Sequence, residues 1–430
     1  MKINSKFYAA TLFTFYSSLI IYYQLPFGIM DDFKNLEHIK NLNQDFFVYY
    51  FDYFKERTFE KGLLQPFYLL QMYFQYSLNS PILIYIQNLF IVFLSHYLFI
   101  RGISNFVKLN YFISLLIFLI YPFSNDLLVH PSLQEKYAFL IFGLVLILIN
   151  RKSKFKKIIF ILSLAVPLIK LQGTVLIFII LSIYKSTKSL NSLYAISGFI
   201  FGILLQTYVT FFVEAEYSIR NSFDNVFSNL QHPVNVTYLF LILIYLFFLF
   251  RQIETNLVEL SIAFSSLAIL FIYINFYILG YLLSTYAYFI SIMVPFIMSK
   301  FEAKFSQFEV KQIAVCSILL IFSVSQFLIP RLERWSDLGE VYETLQTANY
   351  GNIYYCSEEG TIFINKFIEK DNKLIFVNSL KNYESSNVDF LVLTDDFQCN
   401  SFGVSYIGSC VDFDLFESKY SRMKIKKINC

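Results

Sequence analysis

Long apolar stretches separated by short basic clusters run from Phe7 to Pro330, and this alternation leaves few folds open. A bilayer-spanning helix needs about 20 mostly apolar residues. Blocks of this kind read at about 7–28, 81–100, 111–125, 137–150, 158–184, 190–213, 237–250, 257–279, 281–299 and 312–330. Charged residues make up only 15% of the chain, against about 25% in an ordinary soluble domain. The pattern predicts a polytopic α-helical membrane protein. The net charge is +3, and the cations sit between apolar blocks, so nucleic acid is excluded as a partner and the bilayer is the expected one. With 52 Phe and 33 Tyr alongside many Ile, Asn and Lys, the aromatic content follows the residue usage of an AT-rich coding sequence rather than a ligand-binding device. The first block exceeds the apolar core of a signal peptide and lacks a small-residue cleavage site, so it reads as a retained helix.

Cytoplasmic loops are enriched in Lys and Arg, and this bias orients the blocks. Lys2 and Lys6 precede the first block, Arg101 and Lys108 follow the second, and Arg151, Lys152, Lys154, Lys156 and Lys157 follow the fourth. The block at 158–184 has basic residues on both flanks, with Lys185 and Lys188 beyond it. A single crossing would place one of these pairs outside, together with Lys300, Lys304 and Lys311. A helical hairpin broken near Pro167 to Gly173 keeps all of them inside. Its arms of about 12 residues are too short to span, but short arms are tolerated where the turn is buried in protein or faces a wet cavity. The expectation is about nine crossings plus this hairpin, with the N-terminus cytoplasmic and the C-terminus outside. Residues 1–330 then form the transmembrane module, with a long first outer loop at 29–80 and shorter ones at 124–136 and 214–236.

From Arg331 onward the apolar runs shrink to strand length, at 352–357, 373–378 and 389–394. A helix-like stretch from Glu358 to Glu369 separates the first two. Alternating strand and helix patterns predict an extracytoplasmic α/β domain with a parallel layer over 331–430. Cys356, Cys399, Cys410 and Cys430 lie there, and their spacing is not that of a zinc site; in an oxidising compartment they can form disulfides.

Asp31 and Asp32 leave the first helix together. One carboxylate can take a proton from an acceptor hydroxyl while the other orients it or holds a divalent cation. The same pair also suits the N-cap and first turn of the amphipathic stretch that starts at Phe33. The loop continues through the aromatic and charged run from Asp45 to Arg57 to Gly62-Leu-Leu-Gln-Pro-Phe-Tyr-Leu-Leu70, the composition of a helix lying in the membrane interface. In the second outer loop, His130 is a candidate ligand or base, and Glu135 and Lys136 open the next helix. Lys170 has apolar residues on both sides, within Pro167-Leu-Ile-Lys-Leu-Gln-Gly173. An intramembrane lysine costs about 2.5–3.5 kcal/mol at a helix centre unless it finds a partner or water. It either snorkels to an interface or, at a hairpin tip, faces a polar cavity and an anionic headgroup.

Met30-Asp-Asp-Phe33, the Gly62–Leu70 segment, Ser-Leu-Gln-Glu-Lys at 132–136 and Lys-Leu-Gln-Gly at 170–173 resemble bacterial members of the GT-C superfamily of integral membrane glycosyltransferases. The outward tail is similar to that family's layout. Related sequences often carry a basic residue before the proline, where this chain has Gln65. The resemblance implies transfer of a sugar from a polyprenyl-phosphate carrier to a glycan, lipid or protein acceptor at the outer face of a bacterial inner membrane. It implies that Asp31 or Asp32 is the base, with a divalent cation as a further option at that pair. Lys170, Lys136 or Arg57 would face the donor phosphate, with Glu135 and His130 completing the substrate site. Two other classes are compatible with the architecture. An O-antigen polymerase or ligase would show prominent arginines in its outer loops, and Arg220 is the one basic residue at 214–236. A transporter would show an internal repeat between its halves.

Overall fold

The computed structural model describes residues 5–25, 38–39, 41–60, 64–78, 80–151, 155–212, 229–252, 256–275, 283–302, 308–333 and 335–337, and five strands between 352 and 429. In chain order the helices are α1 (Ser5–Tyr23), α2 (Phe46–Lys55), α3 (Tyr68–Tyr76), α4 (Pro81–Ile103), α5 (Tyr111–Ile120), α6 (Ser124–Val129) and α7 (Glu135–Asn150). They continue with α8 (Lys156–Ile169), a 3-10 segment at Leu171–Leu176, α9 (Ile177–Thr187), α10 (Leu190–Phe212), α11 (Pro233–Phe250), α12 (Leu257–Asn275), α13 (Thr285–Glu302) and α14 (Phe308–Ser323).

Among the described residues, five helical stretches are long and apolar enough to cross a membrane: Pro81–Ile103, Leu190–Val209, Pro233–Phe250, Leu257–Ile274 and Ile313–Asp337. The chain is thus a helical protein of the multi-pass membrane type. Several expected crossings are shorter than the sequence blocks suggest, and local chemistry explains why. The block at 7–28 stops helically at Tyr23, because Gln24 takes a left-handed φ of 45° and Pro26 follows. The block at 111–125 gives only Tyr111–Ile120, since Tyr121 turns extended ahead of Pro122.

The chain divides into two compact units. In the larger one, the segment around Lys170 reverses direction. Lys170 closes α8 with an extended backbone at φ −152° and ψ 134°, and the Gly173 N–H donates to the Lys170 carbonyl at 2.8 Å. A Cβ on Gly173 would sit 2.7 Å from the Val166 carbonyl oxygen, so glycine permits the fold-back. α8 and α10 run side by side in the same direction. Gly198 of α10 meets Phe160 and Ser163, and Gly202, one turn later, meets Leu164 and Pro167. α9 carries the chain back from the tip to the start of α10. The Asn191 side-chain amide donates to the Arg151 carbonyl at 2.9 Å, and the Lys156 ammonium lies 6.0 Å from the Tyr194 ring. Both basic flanks of 158–184 therefore sit at one end of the hairpin. α12 is tied to α9 by Ser182 Oγ donating to Ser261 Oγ at 2.9 Å, and to the 3-10 segment by Ser265 Oγ donating to the Val175 carbonyl at 3.0 Å. Hydroxyl bonds and close glycine contacts of this kind are how membrane helices associate where the hydrophobic effect is weak.

The smaller unit contains residues 18–37, 79–83 and 325–430. Its described tail residues form a sheet of order β2-β1-β3-β5-β4, with β1 Asn352–Tyr355, β2 Lys373–Phe376, β3 Phe390–Asp395, β4 Val411–Glu417 and β5 Met423–Asn429. β1 pairs in parallel with β2 and β3, whereas β5 pairs antiparallel with β3 and β4. The sheet is mixed rather than the parallel layer expected. Residues 418–422 are too few for a crossover connection, so β4 and β5 can only form a hairpin. The helix expected over 358–369 and the four tail cysteines lie outside the described residues.

Candidate functional site

The hairpin tip, the start of α7 and the far ends of α12 and α13 supply a cluster of buried polar groups in the larger unit. α7 opens at Glu135, where a carboxylate complements the partial positive charge of a helix N-terminus. α8 closes at Lys170, where a cation complements the opposite end. The two meet, with Lys170 Nζ 3.2 Å from Glu135 Oε1. The Glu135 side chain is 1% exposed and that of Lys170 20%, so the pair has one shielded and one accessible end. Neither Glu135 oxygen accepts a hydrogen bond among the described residues, and Gln172 Oε1 is likewise buried without a donor. Gln172 stands beside the Tyr273 hydroxyl, and Tyr273 and Tyr288 both lie within electrostatic reach of Glu135.

Lys136, expected to face phosphate, is directed elsewhere. It is fully buried and donates to Asn88 Oδ1, to the Pro131 carbonyl at 2.6 Å and to the His130 carbonyl at 3.3 Å. An ammonium has three hydrogens, and three acceptors are in place. Asn88 in turn donates to the carbonyls of Leu127 and Leu128 at 2.9 and 2.7 Å. These are the last carbonyls of α6, which have no partner within their own helix. Asn88 and Lys136 thus cap α6 and fix the loop that leads into Glu135. His130 is buried and pairs with Asp126, Nε2 to Oδ1 at 3.7 Å, one helical turn earlier.

Arg57 belongs to the first loop. Its Nε donates to the Tyr53 hydroxyl at 2.7 Å, and its guanidinium lies 4.6 Å from the centre of the Tyr68 ring. Burial pushes the Tyr53 phenol above its ordinary value, with Arg57 pulling the other way, so the phenol is neutral at physiological pH. α2 begins at Asp45, whose carboxylate accepts from the Val48 N–H. It buries Tyr53 while exposing Phe47, Val48 and Phe51. The loop then packs Leu64, with Phe54 and Phe67, against Leu164 and Leu168 of α8 and Leu205 and Val209 of α10. Leu168 is two residues from Lys170, so the first loop lies against the tip end of the hairpin.

Of the expected site residues, the structure brings Glu135 and Lys170 together, commits Lys136 to holding the loop, and pairs His130 with Asp126. Asp31 and Asp32 lie outside the described residues. Among the described residues, no cluster of three His, Cys, Asp or Glu side chains could hold a metal ion. Gln172 stands in the sequence only as one member of the Lys-Leu-Gln-Gly segment, and Tyr273 and Asn88 escape notice, because nothing in their local pattern separates them from ordinary helix residues. No protein-family model, curated protein or solved structure matches the chain.

Proposed function

We propose that this chain is an integral membrane glycosyltransferase of the GT-C type, moving a sugar from a polyprenyl-phosphate carrier to an acceptor at the outer face of a bacterial inner membrane. In this reading the polypeptide crosses the bilayer about nine times, with its N-terminus inside and residues 331–430 outside as an α/β domain. The observation that carries the proposal is the Glu135–Lys170 pair at the reversal of the hairpin. A lysine that is neither buried nor at the basic end of the hairpin is suited to an anionic headgroup, and the first loop packs beside it.

The acceptor hydroxyl attacks the anomeric carbon. Its proton passes to Asp31 or Asp32 as the new carbon–oxygen bond forms. The bond from that carbon to the phosphate oxygen breaks, and its electron pair leaves on the phosphate. The Lys170 ammonium stabilises this departing anion, an interaction that strengthens as the charge develops.

The test is transfer of labelled sugar from polyprenyl-phosphate hexoses in membranes carrying the wild-type chain or Lys170→Met. Loss of a charged hydrogen bond, about 1.5–3 kcal/mol, predicts roughly tenfold to a hundredfold weaker donor binding. Wild-type turnover by a normally expressed Lys170→Met variant removes the support for the reading. Label that accumulates inside sealed vesicles without transfer identifies a carrier instead of a transferase.

A further inference from the structure

The proposed donor has two parts, and the anion is the simpler one. From the unmet acceptors beside Lys170, we infer that Glu135 and Gln172 form a subsite for the hydroxyl groups of the donor sugar; this rests on the glycosyltransferase reading.

An ionised carboxylate offers about four lone-pair positions and no hydrogen. Leaving such a group buried without donors is costly, so its donors have to be identified. The Tyr273 hydroxyl donates to Thr285 Oγ1 at 2.8 Å. Ser95 Oγ gives its hydrogen to the Val92 carbonyl at 2.8 Å, so the Tyr288 hydroxyl, 2.7 Å from Ser95 Oγ, gives its own to Ser95. The neighbouring Lys136 is directed to Asn88 and to the carbonyls of His130 and Pro131. Each of these donors sits close to Glu135 in space or sequence and is turned away from it.

Lys170 engages Oε1 alone, at 3.2 Å. Oε2 is left as an acceptor, as is Gln172 Oε1. Gln172 stands beside the Tyr273 hydroxyl, and Glu135 lies within electrostatic reach of it. Two acceptor oxygens without donors, one of a carboxylate and one of an amide, next to one cation complement a ligand that brings several O–H donors together with a negative charge. A sugar joined to a phosphate has both. A bare lipid phosphate or inorganic phosphate satisfies the cation and leaves the acceptors unmet.

The experiment compares binding of undecaprenyl phosphate with that of its glucosyl, galactosyl and mannosyl esters to the full chain in nanodiscs. The wild-type chain is expected to prefer at least one sugar-bearing carrier by about tenfold or more, as a charge-assisted hydrogen bond implies. Glu135→Gln should remove most of that preference without weakening binding of the bare carrier, and Gln172→Ala should remove part of it. Lys170→Met should weaken every carrier alike. Equal wild-type affinity for all four carriers overturns the inference. So does a Glu135→Gln variant that weakens bare and sugar-bearing carriers to the same degree, which would reduce Glu135 to a holder of Lys170. The measurement involves no turnover, so a chain that prefers the sugar-bearing carrier yet transfers nothing would sink the transferase reading and leave the subsite standing.

Discussion

The Asn191 side chain holds the Arg151 carbonyl at 2.9 Å, joining the start of one long apolar helix to the basic segment that precedes the hairpin. Lys156 and Lys188 therefore belong to the same end of the molecule. Single cysteines at these positions, in a chain otherwise free of accessible thiols, should both react with a membrane-impermeant maleimide only after the cytoplasmic face is opened. Reaction of one before opening and the other after it would mean that 158–184 crosses the membrane once.

Lys136→Met should destabilise the protein severely, and Lys170→Met less, since it takes a partly exposed ion-pair partner from Glu135 rather than a fully buried ammonium from three acceptors. Removing the Lys136 ammonium leaves Asn88 Oδ1 and the Pro131 carbonyl buried without it, at about 1–3 kcal/mol for each group left unsatisfied, while the His130 carbonyl keeps the Leu133 N–H. Thermal unfolding in detergent separates the two variants. A Lys136→Met protein with a wild-type midpoint would show that the loop before Glu135 is held by other means.

Gly143 lies where α7 crosses α4, and a Cβ there would come within 2.5 Å of the Leu98 carbonyl carbon and the Phe99 nitrogen. Both are backbone atoms, so no rotamer change relieves the clash. Gly143→Ala should cost roughly 1–3 kcal/mol, as overpacking of a close crossing generally does. A detergent melting curve superimposable on that of the wild type would show that the crossing can spread without loss.

Asp31→Asn and Asp32→Asn keep shape and hydrogen bonding but remove the base. General-base assistance contributes about 10²–10⁴-fold, and two adjacent residues cannot both face one acceptor oxygen. One variant should lose most transfer activity and the other should be only partly impaired, at equal expression. Normal turnover by both would leave the pair as a helix cap, and the base would have to be sought elsewhere, with His130 beside Asp126 the first candidate.

Sequence patterns were informative where the physics is local or additive. Apolar block length marks the helices, and the placement of Lys156, Lys157, Lys185 and Lys188 marks the reversal, because charge at the ends of a segment limits how it can cross. Lys170 is conspicuous because few lysines occur in such surroundings. The role of Lys136 could not be read, since its partner Asn88 lies on another helix and a lysine's chemistry is the same whether it faces phosphate or a carbonyl. The pairing of Glu135 with Lys170 depends on how α7 and α8 dock, which no local periodicity encodes. The helix ends moved because Gln24 and Pro122 end helices that hydropathy alone would extend.

The close contacts of Gly198 and Gly202 with α8 have a consequence for how a ligand would be captured. With α10 pressed against its backbone almost to the tip, the arm that ends at Lys170 has little room to sway. Its ammonium keeps the torsions of one side chain as its main freedom. Fixing a lysine side chain forfeits up to about 1.5–2 kcal/mol of conformational entropy, whereas ordering a flexible loop forfeits a further 1–2 kcal/mol for each backbone residue. An anion arriving at this lysine therefore meets a group whose disorder has largely been removed by folding, and more of the contact energy is left to appear as affinity.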